Sequence, residues 1–352
     1  MNRLIKTFAY ALALLVVGLA GCTLREGKPW SGQEESLTQE LNRGPYLSQE
    51  SPGPDAELFA PGIVSTAAYE LNSAFTPDGK EMYQTLVVEG WGFSAIIQRS
   101  EDRKGWGVPV VSTFSGRYND IDPNLSPDGN QVIFASRRPE DPTVSKELSG
   151  SWDLWIASRK DARGPWGRAQ HLPGPINTPA VEIYPSVSAS GTIYFGSNRD
   201  GGYGNTDIYR ARPGEAGSFK VENLGTQINS EHSEGDAFIA PDESYIIVTI
   251  DGRPDSRGQS DLYISFAQEN GRWGSLFHMD GSINTSAKEY CPVVTSDGRF
   301  FFFTRGKKKG NSLHSERQKT YEELAEKIYT WRNNLENIYW VNEAVLNQEA
   351  YE

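Results

Sequence analysis

One short turn recurs five times along this 352-residue chain: Thr76-Pro77-Asp78-Gly79, Ser126-Pro127-Asp128-Gly129, Ser188-Ala189-Ser190-Gly191, Ala240-Pro241-Asp242-Glu243 and Thr295-Ser296-Asp297-Gly298, at intervals of about 50 to 60 residues. Pro presets φ for the first corner of a tight turn and Gly supplies the positive φ of the last. After each turn comes a run rich in β-branched and aromatic residues, clearest at 131–135, 192–196, 245–250 and 300–304. A third run opens with its own signature: Asp153-Leu154-Trp155, Asp207-Ile208-Tyr209, Asp261-Leu262-Tyr263 and Asn337-Ile338-Tyr339, with a weaker version at Ser94-Ala95-Ile96-Ile97. An aromatic residue then follows a Gly-containing turn, at Trp106, Trp166, Phe219 and Trp273, and leads into a fourth strand. Four antiparallel strands in a repeat of this length are the blade of a β-propeller.

The fifth repeat stops after its third strand, while residues 57–64 read as a strand with no repeat of their own. Letting that strand complete the last blade closes the ring and removes the free sheet edges. The expectation is an all-β protein, a five-bladed propeller over 57–345 with a tail at 346–352. One insertion, 306–336, breaks the pattern in the last blade. Within it Tyr321, Leu324, Ile328, Trp331 and Leu335 recur at three and four residues, behind Lys307-Lys308-Lys309. That spacing predicts a helix over 315–335 with one apolar stripe.

The N-terminus reads as an address. Arg3 and Lys6 precede an apolar run of about a dozen residues, short for a membrane span, that ends in Leu19-Ala20-Gly21-Cys22. This order resembles the lipobox of bacterial lipoproteins. The resemblance implies cleavage of residues 1–21, diacylglycerol on the Cys22 sulfur, and the palmitate such proteins carry. Cleavage removes Arg3 and Lys6 and no acid, so the charge moves from −12 to −14. Thr23, in place of Asp, implies the outer membrane, facing the periplasm. Residues 22–56 are polar and aperiodic and read as a tether of roughly 30 Å reach, with a short helix near 34–41. Cys291 is then left without a partner and reads as a small buried apolar residue.

Eight residues before the third residue of each turn stand Glu70, Asp120, Glu182, Glu234 and Glu289. All five are acidic, and each begins the innermost strand of its blade, so they are expected around the channel mouth on what we call the top face. Asn177, Asn229 and Asn284 stand five residues earlier in the last three repeats. The second strands return to the same end and deliver Arg137-Arg138, Arg199, Arg253 and Arg305. One reading is structural, each acid accepting hydrogen bonds from a neighbouring Arg or loop. The other is a ligand site made of the five acids with Arg137, Arg199 and Arg305, and Asp120, Asp122 and Asp236 are the candidates for binding calcium there. Among the histidines only His232 falls on this rim, so neither a three-His metal site nor a Ser-His-Asp triad is supported. The acidic balance, 46 Asp+Glu against 34 Lys+Arg, gives no footprint for nucleic acid.

Ile176-Asn177-Thr178, 182–188, 194–202 and Asp207-Ile208-Tyr209 together resemble the TolB-like Pro-Asp propeller repeat, a relative of WD-type repeats. The resemblance covers roughly residues 65–345 and is strongest in the third repeat. It implies an envelope protein that binds or scaffolds a protein or cell-wall glycan partner, with enzymes as a minority. Some five-bladed glycosidases place three carboxylates from different blades in the central cavity. A glycoside hydrolase or lyase using Glu70, Asp120 and Glu234 is therefore the alternative. Acid–base catalysis needs unequal environments, whereas these acids hold equivalent positions.

Overall fold

The computed structural model describes residues 43–88, 91–141, 148–279, 281–306 and 335–351. The leader 1–21, Cys22, the helix near 34–41 and all but the ends of the 306–336 insertion lie outside the described residues. Within them the protein is a five-bladed β-propeller. β1 is Glu57–Leu58. Blade one holds β2 (Tyr69–Phe75), β3 (Glu81–Val87), β4 (Ser94–Asp102), β5 (Gly105–Trp106) and β6 (Val110–Val111). Blade two holds β7 (Asp120–Leu125), β8 (Gln131–Ser136), β9 (Asp153–Ser158) and β10 (Gln170–His171). Blade three holds β11 (Glu182–Val187), β12 (Ile193–Ser197), β13 (Asp207–Pro213) and β14 (Phe219–Asn223). Blade four holds β15 (Ser233–Ile239), β16 (Tyr245–Asp251), β17 (Ser260–Phe266) and β18 (Phe277–His278). Blade five holds β19 (Glu289–Val294), β20 (Phe300–Arg305) and β21 (Asn337–Asn342).

The last sheet runs β1-β21-β20-β19, with Glu57 opposite Trp340 and Leu58 opposite Tyr339. The N-terminal strand therefore completes the final blade, as the missing fourth strand requires. Pairing covers two residues only, and side chains supply the rest of the closure. Phe59, fully buried, stands edge-on to Phe75 of blade one and to Phe302 and Trp340 of blade five, with centroids 5.0–5.9 Å apart. Edge-to-face geometry sets positive ring edges against negative faces.

The tether expected over 22–56 ends earlier than its composition implies. Tyr46 and Leu47 are 5% and 1% exposed. Tyr46 donates its backbone N–H to the Gly79 carbonyl at 2.9 Å and its hydroxyl to Asp297 at 3.3 Å, so it packs beside the turns of blades one and five. Its ring adds edge contacts to Phe75 and Phe300. Two apolar residues in a polar stretch carry no periodicity, and burial against a preformed aromatic cluster decides their place. At the other end, Tyr351 of the expected tail packs on Phe266 and Phe277. Cys291 is free and buried, as expected. No helix among the described residues is long and apolar enough to cross a membrane.

Truncating a large aromatic in such a cluster costs about 3–5 kcal/mol. Phe59→Ala should lower unfolding free energy by that amount in urea titration. Tyr351→Ala, at a half-buried site on one blade, should cost less than half as much.

Candidate functional site

In every blade the innermost strand carries the same irregularity. Register shifts by one residue between Leu71 and Ala74, Ile121 and Asn124, Ile183 and Ser186, Gly235 and Phe238, and Tyr290 and Val293. Inside each shift one non-glycine residue is left-handed: Asn72, Asp122, Tyr184, Asp236 and Cys291, with φ from 40° to 61°. A bulge inserts one residue and re-aims the side chains around it. These five residues line the channel waist, a constriction of about 20 Å³ closed further by Pro123, Pro185 and Pro292.

Two residues earlier in each strand stand Glu70, Asp120, Glu182, Glu234 and Glu289, all 0–2% exposed. None of them lines the waist or either mouth of the channel. This corrects the expectation that they ring the opening as ligand contacts. Each carboxylate instead accepts from the loop that enters its own strand. The Thr66 hydroxyl and backbone N–H donate to Glu70, those of Thr178 to Glu182, of Ser230 to Glu234 and of Thr285 to Glu289. In blade two the donor is Ser115, whose hydroxyl reaches Asp120 at 2.7 Å.

Arginines complete three of these locks. Arg138 meets Asp120 at 2.6 Å, Arg199 meets Glu182 at 3.0 Å and Arg305 meets Glu289 at 2.8 Å. Each guanidinium also lies over the aromatic that opens its blade's third strand: Trp155 at 5.1 Å, Tyr209 at 4.9 Å and Tyr339 at 4.3 Å. The aromatic of the Asp- or Asn-x-aromatic signature thus supplies the platform for the arginine. Arg137, chosen from the sequence as a site residue, points elsewhere and donates to the Ser149 carbonyl. Arg253 pairs with Asp255 instead of Glu234. His232 sits beside Glu234, while His171 and His278 pair with Asp153 and Asp261 on the outer strands.

The asparagines five residues before the acids belong to the same device. Asn177, Asn229 and Asn284 each receive the N–H and meet the C=O of one residue in the preceding blade's third strand: Leu154, Ile208 and Leu262. Ser65 does this for Ile338, and Ser115 takes the N–H of Ile96. Positions −5 and −4 from each acid, rich in Ser, Thr and Asn, carry the signal from which the lock was readable.

What faces the opening is different. The top mouth is a cavity of about 160 Å³ between blades three, four and five, lined by Tyr184, Asp236, Asp251, Lys288 and Tyr290 among others. The Lys288 ammonium lies 4.2 Å from the Tyr290 ring centre. Burial pushes Asp236 up to about 6, opposed by Lys288 and by the Cys291 N–H that it accepts at 2.8 Å. Deeper in, Asp122 is 2% exposed and neither oxygen accepts a well-formed hydrogen bond. Burial and neighbouring Asp236 hold it well above the usual carboxylate range. For calcium, Asp120 is consumed by its lock on Arg138. No three His, Cys, Asp or Glu among the described residues are grouped to hold a metal ion.

No protein-family model matches this sequence, and no curated protein matches it. Solved structures similar to it include TolB from Acinetobacter baumannii, at 18% identity over 68% of this chain and 52% of that one, TM-score 0.42. The chain thus spans about half the length of that protein. A putative TolB from Agrobacterium tumefaciens is 14% identical over 78% of this chain and 90% of its own, TM-score 0.45. A structure titled glycoside hydrolase is 10% identical over 90% of this chain and 96% of its own, TM-score 0.49.

Two outcomes follow from the locks. Arg138→Met leaves a buried carboxylate unpaired and should cost about 3 kcal/mol, against under about 1 kcal/mol for Arg137→Met, by chemical denaturation. Burial raises Glu70 to about 7 from 4.5, the Thr66 hydrogen bonds and the Arg99 charge offsetting it only in part. A raised acid destabilises the native state only once it must ionise, so stability falls as pH rises from about 4.5 to about 7, by up to about 3 kcal/mol. Glu70→Gln should flatten that slope in melting curves taken across the range.

Proposed function

We propose that this chain is a lipid-anchored envelope protein whose propeller binds a protein or glycan partner at the top mouth and transforms nothing there. One observation carries this reading. The three acids that the sequence offers for acid–base chemistry, Glu70, Asp120 and Glu234, each accept hydrogen bonds from a loop in a buried lock, while Lys288 and Asp251 stand at the mouth beside Tyr184 and Tyr290. Glu70, Asp120 and Glu234 share no cavity, so the arrangement gives no pair of carboxylates flanking one substrate bond. Tyr184 and Tyr290 with Lys288, Asp236 and Asp251 offer the mixture of apolar area and polar groups that recognition sites use. Lipidation at Cys22 and the outer-membrane, periplasm-facing location rest on the N-terminal motif.

The test mixes the chain lacking residues 1–22 with purified peptidoglycan and envelope glycans, scoring pelleting and new reducing or unsaturated ends together. Pelleting without new ends, reduced about five-fold or more by Lys288→Glu, is the expected result for a glycan partner. If nothing pellets, crosslinking in cells from position 288 should trap a protein partner. New ends that disappear in Glu70→Gln or Glu234→Gln would make it an enzyme.

A further inference from the structure

A second cleft, outside the channel, lies between the outer strands of blade one and the β9–β10 loop of blade two. It encloses about 380 Å³, within the range of small-ligand sites. Trp166 walls it, its indole N–H donating at 2.9 Å to the phenol oxygen of Tyr83, which is fully buried behind it. The Arg159 side chain is 1% exposed and donates to Glu81 at 2.7 Å and to the Gly129 carbonyl at 2.9 Å. Its remaining terminal nitrogen, Nη2, is buried with no hydrogen-bond partner. Gln98, also on the cleft lining, carries a side-chain oxygen that is buried and without a partner. A donor and an acceptor left unsatisfied in one polar cleft each cost free energy until something fills them.

The charges here leave no surplus. Glu81 answers Arg159, Glu101 answers Lys80 at 3.3 Å and Arg163 answers Asp78 at 2.7 Å. An ion would find no net field, whereas a group that both donates and accepts would satisfy Arg159 and Gln98 together. Hydroxyls do this, and the half-buried Trp166 ring suits the apolar face of a sugar. We propose that the cleft between blades one and two binds a neutral saccharide through Arg159 and Gln98, independently of the channel mouth.

The full chain in detergent is titrated calorimetrically with chitobiose, maltose and cellobiose, and with glucuronate as the anionic probe. Saturable binding of at least one neutral disaccharide is expected, with Kd of about 0.1–1 mM. Gln98→Ala should weaken it about ten-fold. Thr113→Trp, at an exposed position on the cleft rim, should block it while melting stays unchanged, and Lys288→Glu at the channel mouth should leave it intact. The proposal is overturned if no neutral disaccharide binds up to about 20 mM, if only glucuronate binds, or if binding survives both cleft variants.

Discussion

A buried carboxylate at the first turn of each innermost strand holds this propeller together. It takes a hydroxyl and, in four blades, a backbone N–H from the loop that arrives from the previous blade. In four blades the residue just before those donors grips the previous blade's third strand, and in blade two Ser115 does both. One short segment therefore ties two neighbouring sheets, and the ring repeats the tie five times. Blades that share little side-chain chemistry elsewhere agree here, because the loop's polar backbone is buried and must be answered. In blades two, three and five an arginine stacked on an aromatic adds a charge-assisted bond. Blades one and four lack it; burial raises Glu70 to about 7 and raises Glu234, as it also raises Glu182 of blade three despite Arg199.

The lock and the channel are two faces of one strand, and the bulge separates them. Were the strand regular, the residue two beyond each acid would share its side. The left-handed residue breaks that alternation. It turns Asn72, Asp122, Tyr184, Asp236 and Cys291 into the channel while the acids face the loops. Equivalent positions on the lock side carry near-identical chemistry, as a structural device requires. Equivalent positions on the channel side carry an amide, two carboxyls, a phenol and a thiol. The channel side, where no two neighbouring blades repeat the same side chain, is where this molecule acquires a character of its own.

This division explains what was legible beforehand. The five turns were readable because Pro, Asp and Gly act locally, and closure was readable because one blade lacked a strand where one strand lacked a blade. The five acids were found by spacing, yet their direction was not, since a bulge flips parity without marking the sequence. The choice of Arg137 over Arg138 failed for the same reason: one residue decides which side of the strand end a side chain takes. Ser65, Ser115 and the three asparagines were visible as a pattern, and their meaning needed the third strand of the preceding blade beside them. Tyr46 and Leu47 were hidden because two apolar residues have no period.

Tyr46 has a mechanical consequence. It is clamped between Gly79 of the first blade and Asp297 of the last, so a pull on the chain upstream loads the turns at the seam of the ring. The seam holds only two paired strand residues, and Phe59, Phe75, Phe300, Phe302 and Trp340 form the aromatic packing around the clamp. Closely packed side chains resist shear together, whereas a two-residue ladder alone would peel one bond at a time. The aromatic cluster is thus the strain relief of the ring against a pull on the chain that enters at Tyr46.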